Sequence, residues 1–319
     1  MSNYVQQERA GKLFTRYEGN PILAPKNWPY PVNAVFNPGA AKINGDTLLL
    51  VRVEDMRGFS HLTVARSKDG LSNWQIDAKP TMEANHTIAE EMWGLEDPRI
   101  VWLEEQRQYA ITYVSFGEGG PIVSLAITKN FRGFAKLGGM LPPEDKDACL
   151  FPRRFNGRFA LLHRPIVRGE AHIWLSLSPD LKHWGDHRMV IGTRHAWWDC
   201  HRVGLACQPI ELPEGWLILY HGVRNTTAGA IYRCGMALLD IEQPWQLLRR
   251  SEEWVLGPQT EYERVGDVGV VVFPTGATIH KETNKMYLYY GAADCTVAVA
   301  TADMGAVREY IMNCPAVDQ

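Results

Sequence analysis

Apolar and polar residues alternate along this chain in short runs, and Gly, Asn and Asp punctuate the runs. A period of two sends one side of each run to a core and the other to solvent, which predicts β-strands. Ala40–Ile43 is followed by Asn44-Gly45-Asp46 and then by Leu48–Val53. Asn-Gly between apolar runs is a hairpin signal, because both residues tolerate positive φ. His61–Ser67 and Trp74–Lys79, separated by Lys68-Asp69-Gly70, supply a third and a fourth strand. The product is a four-stranded meander.

The unit recurs. Second strands are expected at Tyr109–Tyr113, Phe159–His163, Trp216–Tyr220 and Met286–Tyr290. Third strands of alternating small and apolar residues end at positions 67, 128, 178, 239 and 301, in steps of 61, 50, 61 and 62. Near-regular spacing of whole meanders indicates radial repetition. The expectation is all-β: a five-bladed β-propeller with an axial funnel, filling residues 1–319 as one domain, with about 1–20 peripheral. A terminal segment, Pro21–Ala24 or Arg308–Met312, is expected to close the last blade. A row of β-sandwiches needs about 100 residues per unit and linkers between them. No Pro/Ser-rich linker interrupts the chain.

Composition agrees with strands and turns. The 319 residues include 28 Gly, 19 Pro and 11 Trp, and 45% are hydrophobic. A net charge of −3 and the lack of any Lys/Arg run exclude a basic nucleic-acid face. Apolar stretches such as Gly269–Phe273 are far too short to span a bilayer, so no membrane partner is expected. Met1–Leu13 is polar, without the apolar centre of a signal peptide, which makes the cytoplasm the default compartment. The six cysteines are scattered without C-x-x-C, and the ten histidines show no ligand spacing, so neither a disulfide framework nor a metal is indicated. Phosphate-binding glycine loops and nucleophile elbows are lacking too.

Polar residues collect at one register. The second strands run into Arg52, Glu54 and Asp55, then Tyr113 and Ser115, His163 and Arg164, Tyr220 and His221, and finally Asp294. These groups can pair off in an axial network, but Arg52, Arg164 and His221 favour a polar ligand carrying negative charge. Trp93–Arg99 enters the same region, and an Asp before Pro is expected to be extended, presenting the Asp97 carboxylate rigidly. Trp28, Trp93, Trp197 and Trp198 are expected as core anchors, with one or two at the rim as platforms for sugar rings.

Seven segments in order carry a resemblance: Asn37–Gly39, Leu50–Asp55, Gly94–Arg99, Leu150–Pro152, Leu162–Pro165, Tyr220–Val223 and Tyr289–Asp294. Over about Pro21–Ala302 the chain resembles the inverting mannoside phosphorylases of glycoside hydrolase family 130, which are five-bladed propellers. The resemblance implies reversible phosphorolysis of a β-mannoside to α-mannose 1-phosphate and a shortened acceptor. The small-molecule partners are then the β-mannoside and inorganic phosphate, a co-substrate, and no cofactor is implied. Asp97 would be the catalytic acid, protonating the leaving oxygen through the mannosyl 3-hydroxyl. Arg164, Arg202, His221 and Lys146 would bind phosphate, and Asn37, Arg52, Asp55 and Asp294 the mannosyl ring. Arg202 stands where the family often has Lys, and Asp147 where Asn is common. Family members commonly assemble, so a homo-oligomer is in keeping with the resemblance. An inverting hydrolase needs two carboxyls about 6.5–9.5 Å apart, whereas a phosphorylase replaces the base with a dianion held by cations. A hydrolase of the same family and an inert carbohydrate-binding propeller are the alternatives, and the intact Asp97 argues against the second.

Overall fold

Hairpin chemistry sets the local structure. Asn44 and Gly45 have φ of 51° and 90°, as a tight primed turn requires, and they join Ala34–Ile43 to Asp46–Glu54. The computed structural model of the chain describes residues 11–317. Most of the polar Met1–Leu13 segment, and the first half of the segment expected at the periphery, therefore lie outside the described residues.

Among the described residues the chain is all-β with two short α-helices, Glu261–Arg264 and Met304–Met312. Ala34–Ile43, Asp46–Glu54, Ser60–Ser67 and Gln75–Ile76 form one antiparallel ladder. Gly94–Leu103, Gln108–Gly117, Gly120–Thr128 and Ala135–Gly139 form the next. Asp145–Leu150, Phe159–Val167, Ile173–Ser178 and Gly185–Ile191 follow, then Arg202–Leu205, Gly215–Thr226, Gly229–Leu239 and Leu247–Arg250. Val272–His280, Lys285–Ala292 and Thr296–Asp303 complete the series. Hydrophobic faces meet between successive ladders, with Trp216, Phe151 and Tyr220 in one cluster and Tyr290, Leu288 and Met236 in another. The fourth strand expected at Trp74–Lys79 shortens to Gln75–Ile76.

The last ladder takes its outer strand from Thr15–Arg16, paired with Thr301 and Ala300. Pro21–Ala24, one of the two expected closures, contributes a single bridge from Leu23 to Val297. The other, Arg308–Met312, is helical. Asp303 caps that helix by accepting from Ala306 N at 3.0 Å, and Val307 and Ile311, four apart, bury one face.

One irregularity repeats. The first strand of a ladder is interrupted by a β-bulge between Phe36 and Gly39, between Glu96 and Arg99, between Lys146 and Cys149, and between Pro274 and Gly276. A bulge frees residues from the ladder and re-aims their side chains. Here the freed residues include Asn37, Asp97 and Asp147, with φ of 45°, 49° and 50°. Asp97 is thus not extended, as its position before Pro98 led us to expect. The bulge rotates it into the left-handed region, which Asn and Asp tolerate better than other non-glycine residues.

Candidate active site

The bulges and the ends of the second strands converge on a cavity of about 330 Å³. Every ladder contributes. Asn37 and Arg52 come from the first and Asp97 from the second. Lys146, Asp147 and Arg164 come from the third, and Arg202, His221 and Tyr232 from the fourth. Phe273 lies on the fifth, and Asp294 follows its second strand.

Asp97 is buried and asymmetrically held. Its Oδ1 accepts from Asn37 Nδ2 at 2.9 Å and from Arg52 Nη1 at 3.1 Å. Among the described residues its Oδ2 accepts no hydrogen bond. Burial works to raise this carboxyl, but Arg52, Lys146 and Arg99 outweigh it and hold Asp97 below the usual carboxylate range. Arg52 also donates to Glu96 Oε1 at 3.0 Å and to Ser60 Oγ at 3.1 Å, and lies over the Phe36 ring. Lys146 Nζ is 3.2 Å from the other Glu96 oxygen. Across the cavity Asp294 behaves oppositely. Burial dominates there, and with Asp97 and Glu96 nearby its pKa is pushed up to about 6.

A second cluster surrounds Asp147. Arg164 Nε stands 2.5 Å from Asp147 Oδ2, Arg99 Nη2 is 3.3 Å from Oδ1, and His221 Nε2 is 3.5 Å from Oδ2. Arg99, 1% exposed, is fixed by the carbonyls of Ala206, Leu205 and Asp97. Burial dominates at His221 and drops its pKa to about 3 against the pull of Asp147, so the imidazole is neutral rather than one of the cations counted in the sequence. Arg202 differs from the other cavity cations. Among the described residues it makes neither an ion pair nor a side-chain hydrogen bond.

Of the residues singled out in the sequence, the cavity gathers Asp97, Arg164, Arg202, His221, Lys146, Asn37, Arg52 and Asp294. Asp55 does not line it. Its carboxylate closes a turn, accepting from Arg57 N at 2.8 Å, Phe59 N at 3.1 Å and Arg57 Nη2 at 2.7 Å. His163 and Tyr220, on alternate positions to Arg164 and His221, point away from the cavity and bond Asp145 and Asp199 within the sheets. None of the four tryptophans lines it: Trp28 and Trp198 are buried, and Trp93 and Trp197 are surface residues. Tyr232 and Phe273 are its aromatic wall, and sequence reading missed both, together with Asp147, Glu96 and Arg99 as site groups. The signal for Asp147 was available, since Asp147-Ala-Cys149 occupies the bulge position of Asn37-Pro-Gly39 and Asp97-Pro-Arg99.

Residues 11–313 match the family profile of glycoside hydrolase family 130, described as beta-1,4-mannooligosaccharide phosphorylase. The chain is 34% identical over 343 residues to the beta-1,2-mannobiose phosphorylase of Listeria innocua, covering 89% of this chain and 94% of that protein. It is 32% identical over 308 residues to the beta-1,4-mannooligosaccharide phosphorylase of Ruminococcus albus, covering 93% and 90%. The crystal structure of the Listeria innocua beta-1,2-mannobiose phosphorylase with beta-1,2-mannobiose superimposes with a TM-score of 0.85 at 30% identity, over 94% of this chain and 99% of that one.

Proposed function

This chain belongs to glycoside hydrolase family 130, and from that premise we propose that it is an inverting β-mannoside phosphorylase. It transfers a mannosyl group reversibly between a β-linked acceptor and inorganic phosphate, with α-mannose 1-phosphate as the phosphorylated product. The observation that carries this reading is one cavity holding Asp97, the carboxylate with an unoccupied oxygen, together with Lys146, Arg164 and Arg202. We read the five ladders as blades of a single propeller with this cavity on its axis.

Asp97 serves as the acid. Its Oδ1 is tied to Asn37 and Arg52, so Oδ2 is the atom that delivers a proton, relayed through the mannosyl 3-hydroxyl to the leaving oxygen. Lys146 and the arginines keep Asp97 ionised. Phosphate drawn to Lys146 and Arg164 offsets that positive charge and raises the affinity of Asp97 for its proton. Phosphate then attacks the anomeric carbon from the face opposite the leaving group, and the configuration inverts without a protein base. Guanidinium groups suit this task because they bond phosphate oxygens in a fork. His221 is neutral before phosphate arrives and offers the anion a ring nitrogen that makes no hydrogen bond among the described residues. Asn37, Arg52 and Asp294 hold the mannosyl ring, and no substrate contact is assigned to Asp55. A sugar phosphate is charged and membrane-impermeant, which supports a cytoplasmic site of action.

The synthetic direction tests the reading. α-Mannose 1-phosphate is incubated with mannose, glucose or N-acetylglucosamine, and released phosphate and new disaccharide are measured. Equal amounts of both products with at least one acceptor are expected. Phosphate release with no disaccharide from any acceptor contradicts the proposal.

A further inference from the structure

Asp147 is a buried carboxylate, 1% exposed, at the edge of the cavity. Arg164, Arg99 and His221 converge on its two oxygens from three different ladders. The cluster is not internally satisfied. Asp147 Oδ2, Arg164 Nε and His221 Nδ1 are all buried and make no hydrogen bond, the short Arg164 contact having the distance of an ion pair but not the angle of a hydrogen bond. Buried polar atoms without partners are uncommon and call for an explanation. Gly204 lies against them. A Cβ at that position would stand 2.4 Å from Asp147 Oδ2 and 2.4 Å from His221 Cε1, so glycine is what allows carboxylate and imidazole to meet.

This geometry sets a charge problem for any anion that enters, and its solution rests on the phosphorolysis reading above. A phosphate dianion at Arg164 and Arg202 must share Arg164 with a carboxylate already in contact. Asp147 cannot swing far, because the Gly204 backbone is on one side and Arg99 is pinned by carbonyls on another. Two negative groups on one guanidinium disfavour each other. The charged and titratable groups facing the pair are Arg99 and Asp97 from the second ladder, Lys146 and Arg164 from the third, and Arg202 and Tyr232 from the fourth. Among the described residues that touch Asp147, only the His221 ring combines an unpartnered nitrogen with a neutral resting state.

We propose that the Asp147–His221 pair takes up one proton when phosphate binds, so that this chain binds phosphate and a proton together. The proton comes from solvent and adds to the free nitrogen of the imidazole. The ring becomes a cation between carboxylate and bound anion, and no covalent bond to a heavy atom is made or broken. When phosphate leaves, the proton returns to solvent. Asp147 is in this scheme a positioning residue: it acts on phosphate through His221 and Arg164. Phosphate affinity then falls as pH rises, beyond any change in the phosphate itself.

The test is isothermal titration calorimetry of the full chain with inorganic phosphate at about pH 8.5, where free phosphate is already the dianion. Running it in two buffers of different ionisation heat gives the number of protons taken up per bound anion. Net proton uptake is expected for the wild-type chain, and none for Asp147→Asn, which a purely structural role for Asp147 would not predict. Sulfate carries no proton at this pH, so titrating the wild-type chain with it makes the measurement without a variant, and net proton uptake is again expected. Phosphate binding without proton uptake overturns this proposal and leaves the phosphorolysis reading standing. Undiminished uptake in a folded Asp147→Asn chain also overturns it, because the proton then sits on the anion. Failure of the wild-type chain to bind phosphate at all removes the phosphorolysis reading, and this proposal with it.

Discussion

Asp97 reaches the cavity through a backbone conformation that a residue before proline rarely adopts, and Asn37 before Pro38 does the same. Strain of this kind persists only where the surroundings enforce it, and here Asn37, Asp97 and Arg52 hold one another through a single carboxylate oxygen. Replacing Asp97 by Asn keeps the shape and the fold but removes the transferable proton. We expect Asp97→Asn to lose about 10²–10⁴-fold in kcat while the chain still folds; retention of a tenth of the activity removes Asp97 from the acid role. For phosphate, Arg202 is the cleaner probe. Removing Arg164 strands Asp147, whereas Arg202 has no protein partner to orphan among the described residues. One charged hydrogen-bonding group contributes about 1.5–3 kcal/mol. Arg202→Ala should therefore raise the phosphate KM roughly ten- to hundred-fold, with little change in the mannoside KM, measured at saturating mannoside. A rise confined to the mannoside KM assigns Arg202 to the sugar. Most of the cavity was legible at this scale, because Asn37, Arg52, Asp97, Arg164, His221 and Asp294 lie in recognisable segments. Tyr232 and Phe273 were not, since no charge pattern or motif marks a residue whose role comes from the strand opposite.

At the scale of elements, the alternation of side chains placed the second and third strands well, with Tyr109–Tyr113 inside Gln108–Gly117 and Val297–Thr301 inside Thr296–Asp303. It failed at the closure. Arg308–Met312 carries apolar residues four apart and belongs to a helix, while Thr15–Arg16 is too short to show any period. That two-residue strand is secured by side chains instead. Arg16 Nε is 2.7 Å from Glu263 Oε1, and Arg16 also reaches the Gly257 carbonyl and Gln259. Burial works to raise the Glu263 carboxyl, but Arg16 and the amides of Gln259 and Thr260 outweigh it and hold it below the usual range. Deleting one partner of a buried pair leaves the other uncompensated, so Arg16→Ala should cost about 3 kcal/mol. In a chain of this size that is a fall of roughly 5 °C in thermal midpoint, and an unchanged midpoint means that this strand does not secure the closure.

The whole molecule brings one or more residues from each of five ladders to a single cavity, and its resting charge is tuned by burial as much as by sequence. Asp294 shows the consequence for stability. Its folded pKa of about 6 lies above the ordinary 3.8, so the folded state binds the extra proton. Stability from this group is complete below the ordinary value and is lost as pH rises through about 6. Asp294→Asn escapes that loss. Without ligands, its thermal midpoint should match the wild type at about pH 4 and exceed it above pH 6, with a gain of about 2–3 kcal/mol. Equal midpoints at high pH contradict the buried-carboxyl account.

The central claim is phosphorolysis with inversion, and proton NMR of fresh product from β-1,2- and β-1,4-mannobiose, with and without inorganic phosphate, tests it most directly. Lys146, Arg164 and Arg202 beside Asp97 predict that α-mannose 1-phosphate forms from at least one of these disaccharides only when phosphate is present, with little free mannose beyond the acceptor. Equal release of mannose without phosphate contradicts the claim, as does β-mannose 1-phosphate, which requires a covalent intermediate on a second carboxylate.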